Sequence, residues 1–243
     1  MSKQIKLRKG LNIRLVGKAD KILMPEERPD LFGVKPIDFP GLVPKMCVKP
    51  GDSVKAGTPL FFDKQRPEVK FTSPVSGVVK DVVRGERRKI LEVTVEAKGD
   101  ESINFGSLDL ASAGREAIIS RLLESGFWPA IRQRPYHVVA NPEQVPKSIF
   151  ISGFDTAPLG ADFDFIIDQS SAENYSNGIE VLKKLTDGNV NLSVSSTTTS
   201  TVLKETKGVE LNTFSGPHPA GNIGIQIHHI DPVNKGESVW YVN

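Results

Sequence analysis

Between Val43 and Val95 the chain never runs far without a turn residue. Short β-branched runs, Val43 to Val48, Pro59 to Phe62, Val69 to Thr72, Gly77 to Val83 and Ile90 to Val95, are separated by Gly, Pro and Asp at close intervals. Valine and isoleucine suit a pleated, half-buried surface, and the punctuation demands tight corners, so the stretch predicts a small antiparallel barrel rather than helices. Gly51 and Gly57 fall where a tight turn needs a residue without a Cβ. Ser73-Pro74 followed by Gly77 marks a further corner, because Pro74 has no N–H to give a central ladder.

The pattern V-x-x-G-D-x-V-x-x-G-x-x-L from Val48 to Leu60, followed by S-P-x-x-G-V-V from Ser73 to Val79, resembles the biotinyl/lipoyl-carrier barrel. That resemblance implies a lysine at a hairpin tip, for which Asp63-Lys64 is the candidate pair. The segment from Lys64 to Pro74 carries Gln65-Arg66-Pro67 and reads as longer than a carrier's tight hairpin. Lys64 therefore reads as an unmodified, solvated lysine, with a carrier bearing lipoate or biotin as the rival reading.

Residues 1–42 hold short apolar pieces followed by Pro25, Pro29, Pro36 and Pro40, a density that forbids a helix. They read as an extended arm laid against the barrel at 43–100. Lys98 to Ser107 is polar and plausible as a linker. Beyond it the character changes, and 101–243 reads as a second domain. Ile118, Ile119, Leu122 and Leu123 fall at helical spacing, and Gly126 stops that helix. A Pro-rich loop from Trp128 to Pro135 leads to a strand-like Tyr136 to Ala140, and Ile149-Phe150-Ile151 reads as a buried strand. Phe163 to Asp168 is apolar and ambiguous. From Ser170 to Gly188 the apolar residues follow a 3.6 period behind a Ser170/Glu173 capping box. Val190 to Val194 and Gly208 to Phe214 read as strands. Strands alternating with helices imply a parallel sheet covered on both faces, a Rossmann-like α/β domain.

Composition excludes several classes of function. A formal net charge of +2 offers no stripe for nucleic acid, and the basic cluster Arg84, Arg87, Arg88, Lys89 is brief. The single cysteine, Cys47, lies in an apolar run and reads as a buried, inert thiol in a reducing compartment. No run approaches the ~20 apolar residues of a membrane span, nor does the start read as a signal peptide, which predicts a cytoplasmic protein.

Motifs that hold nucleotides and metals are missing. No G-x-G-x-x-G, Walker A lysine, His-Glu-x-x-His or cysteine pair occurs, and Ser193 to Thr201 reads as a polar loop. His137 sits in a strand-like run and reads as a core or rim residue. His228 and His229 are adjacent and, on a strand, would face opposite sides, which argues against a shared metal. Around His218, the prolines and glycines of Gly216 to Gly221 specify a sharply turned loop whose backbone can closely approach another chain or a ligand.

RGERRKIL, SGFWPAIRQRPYHVVANP, IFISGFDTAPLGAD and FSGPHPAGNIGIQIHHIDPV together resemble the A-subunit family of the sodium-translocating NADH:quinone oxidoreductase. The resemblance runs along the whole chain. It implies a barrel-sandwich hybrid followed by a Rossmann-like domain, with the family's C-terminal remainder beyond Asn243. It implies a peripheral subunit on the cytoplasmic face of a bacterial inner-membrane complex. NADH, flavins and iron would then lie in partner subunits, with sodium moved and quinone, such as ubiquinone, reduced by the whole. In related flavin-binding chains a glycine-rich loop helps hold flavin mononucleotide. The matching place here, Glu124-Ser125-Gly126-Phe127-Trp128-Pro129, has lost those glycines, so this chain is expected to carry no cofactor and no catalytic residue of its own. Trp128, Arg132, Arg134, Tyr136 and His218 are the candidates for contact with quinone or a partner subunit, against the plainer reading in which Trp128 plugs a core and the arginines face water. A stand-alone flavin-binding oxidoreductase is the further rival function.

Overall fold

The computed structural model describes residues 3–17, 19–169 and 171–242. They form two compact units, one of residues 24–132 and 136–141, the other of the segments up to residue 23, 133–135 and from residue 142 onward. In chain order the strands are β1 (Gln4–Lys6), β2 (Leu31–Val34), β3 (Pro44–Met46), β4 (Ser53–Val54), β5 (Pro59–Asp63), β6 (Arg66–Thr72), β7 (Gly77–Arg84) and β8 (Ile90–Ala97). They are followed by β9 (Arg132–Arg134), β10 (Val138–Val139), β11 (Ile149–Ser152), β12 (Val190–Ser195), β13 (Glu210–Ser215) and β14 (Val239–Val242). The α-helices are α1 (Arg115–Glu124), α2 (Phe163–Asp168), α3 (Ala172–Lys183), α4 (Thr201–Lys204) and α5 (Ile223–Ile230).

The first unit is the expected barrel, built from a four-stranded sheet in the order β2-β8-β7-β4 and a three-stranded sheet β3-β5-β6. Alternation along the strands buries Phe61, Val69, Phe71, Val79, Val93 and Val95, and an irregularity in β5 between Pro59 and Phe61 buries Leu60 as well. Phe61 and Phe71 stack at 4.8 Å, from neighbouring strands. Gly51 and Gly57 take φ of 93° and 92°, as their turns require.

Helix α1 belongs with this unit by packing. Its Ile118 is buried, and the helix and the 3₁₀ turn Trp128–Ala130 both lie against β6. Gly126 ends α1 at φ 74°, and its missing Cβ lets the backbone close on Thr72, whose Cγ2 a side chain would overlap. By packing, α1 and the 128–130 turn group with the barrel strands.

The second unit is a parallel sheet, β1-β13-β12-β11-β14. Counted from β11, the strands order 3-2-1-4, the doubly wound half of a dinucleotide-type fold. One face carries α5: Phe150, Phe214, Val239 and Tyr241 of the strands pack with Ile223, Ile227 and Ile230 of the helix. β11 (IFIS) and β14 (VWYV) are near-continuous apolar runs, whereas β12 and β13 also bury the polar Asn191, Ser193 and Asn212.

Several expectations are corrected. The arm of 1–42 is divided: β1 pairs with β13 of the α/β sheet, whereas residues 24–42 join the barrel. His228 and His229 sit on helix α5, their rings edge to face at 5.3 Å, rather than on a strand. His137 is an exposed turn residue at φ 55°, outside any strand. Cys47 is exposed, just past the end of β3, and partial desolvation pushes its thiol upward. The ambiguous Phe163 to Asp168 is helix α2. The capping box assigned to Ser170 lies outside the described residues; α3 is capped by Ser171, whose hydroxyl accepts from the N–H of Asn174 at 3.2 Å. No helix among the described residues is long and apolar enough to cross a membrane.

Candidate functional site

A cleft of the barrel unit, about 720 Å³, opens between residues 125–130, which follow α1, and the strands. Four aromatic rings line it: Phe39, Phe71, Phe105 and Phe127. Phe127 follows directly on the left-handed Gly126, and the turn leaves its ring 69 % exposed at the mouth. Its sequence neighbour faces the other way. Trp128 is fully buried and gives its indole N–H to the carbonyl of Ala140 at 2.8 Å. That removes Trp128 from the candidates for stacking on a ligand; it is a core anchor that holds the turn carrying Phe127.

Arg132 does line the cleft, and is its only charged lining residue. Its guanidinium sits over the Phe39 ring, 4.4 Å from the centroid, and Nη2 donates to the Asp38 carbonyl at 3.2 Å. A planar cation held on a phenyl face keeps N–H groups at the rim of an apolar space. The site thus offers ring faces and one fixed cation, and no carboxylate or histidine.

The other candidates lie elsewhere. Arg134 belongs to the α/β unit, over Tyr241 at 5.4 Å, beside Gly224 in the first turn of α5. His218 lines another cleft of that unit, its Nδ1 3.0 Å from Thr156 Oγ1 and its N–H bonded to Asn12 Oδ1 at 2.8 Å. Tyr136 is 79 % exposed on the turn after Pro135. Only Arg132 of the five stands in the aromatic cleft. Phe127 and Phe39 were missed as site residues, although an aromatic beside a helix-ending glycine was a readable signal for Phe127.

Lys64 is exposed, as expected of a solvated lysine, but its hairpin is shorter than expected. Asp63 pairs with Arg66 across a two-residue turn, so the hairpin is tight and Lys64 sits exposed at its tip. The hairpin end is tied down: Arg66 meets buried Asp63 at 3.5 Å and donates to the carbonyls of Val139 and Ala140.

In the α/β unit, the βα junction where this fold type holds a pyrophosphate carries carboxylates at its helix N-terminus, beside a cleft of about 290 Å³ lined by Arg134, Ser152, Phe154, Asp155 and Phe163. Gly153, after β11, serves close packing on the Ser193 carbonyl, 3.1 Å from where a Cβ would lie. The following helix, α2, is capped by Asp162, whose carboxylate accepts from the N–H of Phe165 at 3.1 Å and pairs with Lys21 at 2.6 Å. Those bonds hold the Asp162 carboxyl below its usual range, Lys21 first. The polar run Ser193 to Thr201 is consumed here as well. The Thr198 hydroxyl and the Thr199 N–H and hydroxyl go to Asp164, and the Ser200 hydroxyl goes to Asp168. No group of three or more metal-ligating side chains forms among the described residues.

Comparison with known proteins places both halves. Residues 5–98 match the family model of the NqrA N-terminal barrel-sandwich hybrid domain, and residues 113–243 that of the NqrA second alpha/beta domain. The A chain of the Na(+)-translocating NADH-quinone reductase of Saccharophagus degradans is 40% identical, that of Yersinia pestis 39% and that of Photorhabdus laumondii 38%, each over 98% of this chain and 54% of the relative. The chain thus spans about half the length of the curated relatives it matches. With both of its domains matched in order, the chain belongs to the NqrA family, named for a component of the Na(+)-translocating NADH-quinone reductase.

Proposed function

We propose that this chain serves as a peripheral subunit of a sodium-translocating NADH:quinone reductase on the cytoplasmic face of the inner membrane. In this reading it holds no flavin or metal, leaves the redox steps to partner subunits, and presents its aromatic cleft to quinone. The observation that carries the quinone assignment is the cleft itself, with four phenyl rings and Arg132 around about 720 Å³. A quinone ring is flat, apolar and edged by two carbonyls. Phenyl faces accept the ring, and a guanidinium at the rim donates to a carbonyl and favours the reduced, more anionic oxygen.

Support for the cofactor-free part comes from charge and space. Asp162 and Asp164 occupy the helix N-terminus after β11, where a phosphate would meet like charge, and Gly126 and Gly153 are used for packing. Calorimetric titration with a short-chain ubiquinone tests the central assignment. Saturable one-site binding is expected, weakened roughly tenfold by Phe127→Ala through loss of a stacking face. No saturable heat, or a Phe127→Ala titration like that of the native chain, defeats it. Flavin co-purifying in stoichiometric amount would defeat the cofactor-free part. Failure to co-purify with flavin-containing partners from membranes would defeat the placement in the complex.

A further inference from the structure

A second cleft of the barrel unit, about 500 Å³, lies between the β7–β8 turn and the loop of residues 36–44. We propose that it binds the head group of an anionic membrane phospholipid.

Its rim is cationic and unpaired. Arg84, Arg87, Arg88 and Lys89 fall within six residues, and no carboxylate among the described residues forms an ion pair with any of them. Arg84, Arg88 and Lys89 line the cleft, and no acidic residue does. Arg84 Nη1 bonds the Arg88 carbonyl at 3.2 Å, which folds its guanidinium back over the turn. Its floor is apolar and partly wet: Ile37 is 50 % and Val43 42 % exposed, beside Phe39 and Leu42. Like charges without a counter-ion and apolar groups left in water are both relieved by one ligand type. It bears a phosphate for the guanidinium forks and an apolar stem for the floor.

Backbone geometry points the same way. The Lys89 N–H returns to the Glu86 carbonyl at 3.1 Å, and both central residues, Arg87 at φ 52° and Arg88 at φ 61°, are left-handed. Such a hairpin turn favours Asn-Gly, which adopt that region with little strain; two arginines there sustain strain that the turn alone does not need. A peptide occupant fits poorly, because Pro36, Pro40 and Pro44 in the wall have no N–H for an extended chain.

Vesicle sedimentation with the full chain tests the proposal, using phosphatidylcholine with and without phosphatidylglycerol, and inorganic phosphate as competitor. Binding is expected only with phosphatidylglycerol, weakened roughly a hundredfold by R84Q/R88Q/K89Q at low salt. The variant I37S/V43S keeps every cation, alters only exposed or half-exposed positions, and is expected to weaken binding roughly tenfold. Circular dichroism melts check that both variants fold. Equal binding to neutral vesicles would overturn the proposal, as would unchanged binding by either variant. Competition by phosphate at the lipid's own affinity would mark a free-anion site instead. Capture of an acidic peptide without vesicle binding would mark a protein interface, and either result overturns the lipid.

Discussion

The Arg132 guanidinium rests over the ring of Phe39 at 4.4 Å, and the same ring meets Phe71 edge-on at 4.6 Å. Phe39 lines both the aromatic cleft and the cationic one, so a single phenyl group is the wall between them. Arg132→Lys keeps the charge but loses the planar stack, and is expected to cost about 1 kcal/mol of stability. Phe39→Ala removes a half-buried ring and both contacts, and is expected to cost about 3 kcal/mol. Denaturant melts of the two variants check the order.

Gly126 is required twice, by its backbone and by its neighbour. Gly126→Ala forces a Cβ onto Thr72 at a left-handed φ, an expected loss of about 2–3 kcal/mol. Adding Thr72→Ala removes the overlap but leaves the backbone strain, so the double variant should recover part of the loss. Equal midpoints for the single and double variants would show that the steric contact contributes nothing.

Asp164 ties the threonine run to α2, and its stability contribution depends on pH. Partial burial acts to raise its carboxyl, but the bonds from Thr198 and Thr199 outweigh it and hold the group below its ordinary range. A depressed carboxylate stabilises the fold above the unfolded value of about 3.9, and the contribution fades as pH falls through the folded value. Asp164→Ala is therefore expected to cost about 2 kcal/mol at neutral pH. The gap from the native chain should close in acid, read as thermal midpoints across the range.

The arginine turn should be improvable. R87N/R88G supplies the residues a left-handed pair favours, and an increase of about 1 kcal/mol is expected in denaturant unfolding. The same variant loses two rim cations and should bind anionic vesicles less well. A gain in stability together with undiminished binding would separate the turn from the cleft.

Lys64 stands where a carrier lysine would, yet Arg66 pins the hairpin end to the carbonyls of Val139 and Ala140. Intact mass after expression in a host able to attach lipoate and biotin is expected to equal the unmodified chain. An added prosthetic mass on Lys64 would show that the tether does not prevent recognition.

Much of the fold was legible because its signals are local. Gly51, Gly57 and Gly126 were read correctly as turns and a helix stop, since a positive φ selects glycine whatever surrounds it. The candidate site was less legible. Trp128 and Phe127 are adjacent and equally aromatic, and only the direction of one 3₁₀ turn puts the first in the core and the second at the cleft. Ile223 to Ile230 imitates strand alternation, but its buried residues, Ile223, Gln226, Ile227 and Ile230, follow helical spacing, a choice made by packing on β11. Pro67 argued against a strand and so hid the tight turn at Lys64; β6 is an edge strand, where a missing N–H costs no ladder bond.

By itself, then, the order of residues determined the barrel strands, helices α1 and α3 and strands β11 to β13, and that no familiar nucleotide loop is present, because periodicity, capping and turn chemistry act over a few residues. Tertiary structure alone decided that Gln4–Lys6 pairs with 213–215, that Phe39 divides two clefts, and that Asp164 absorbs the threonines. Those contacts join residues far apart in the chain, and their energy exists only once the intervening loops have closed.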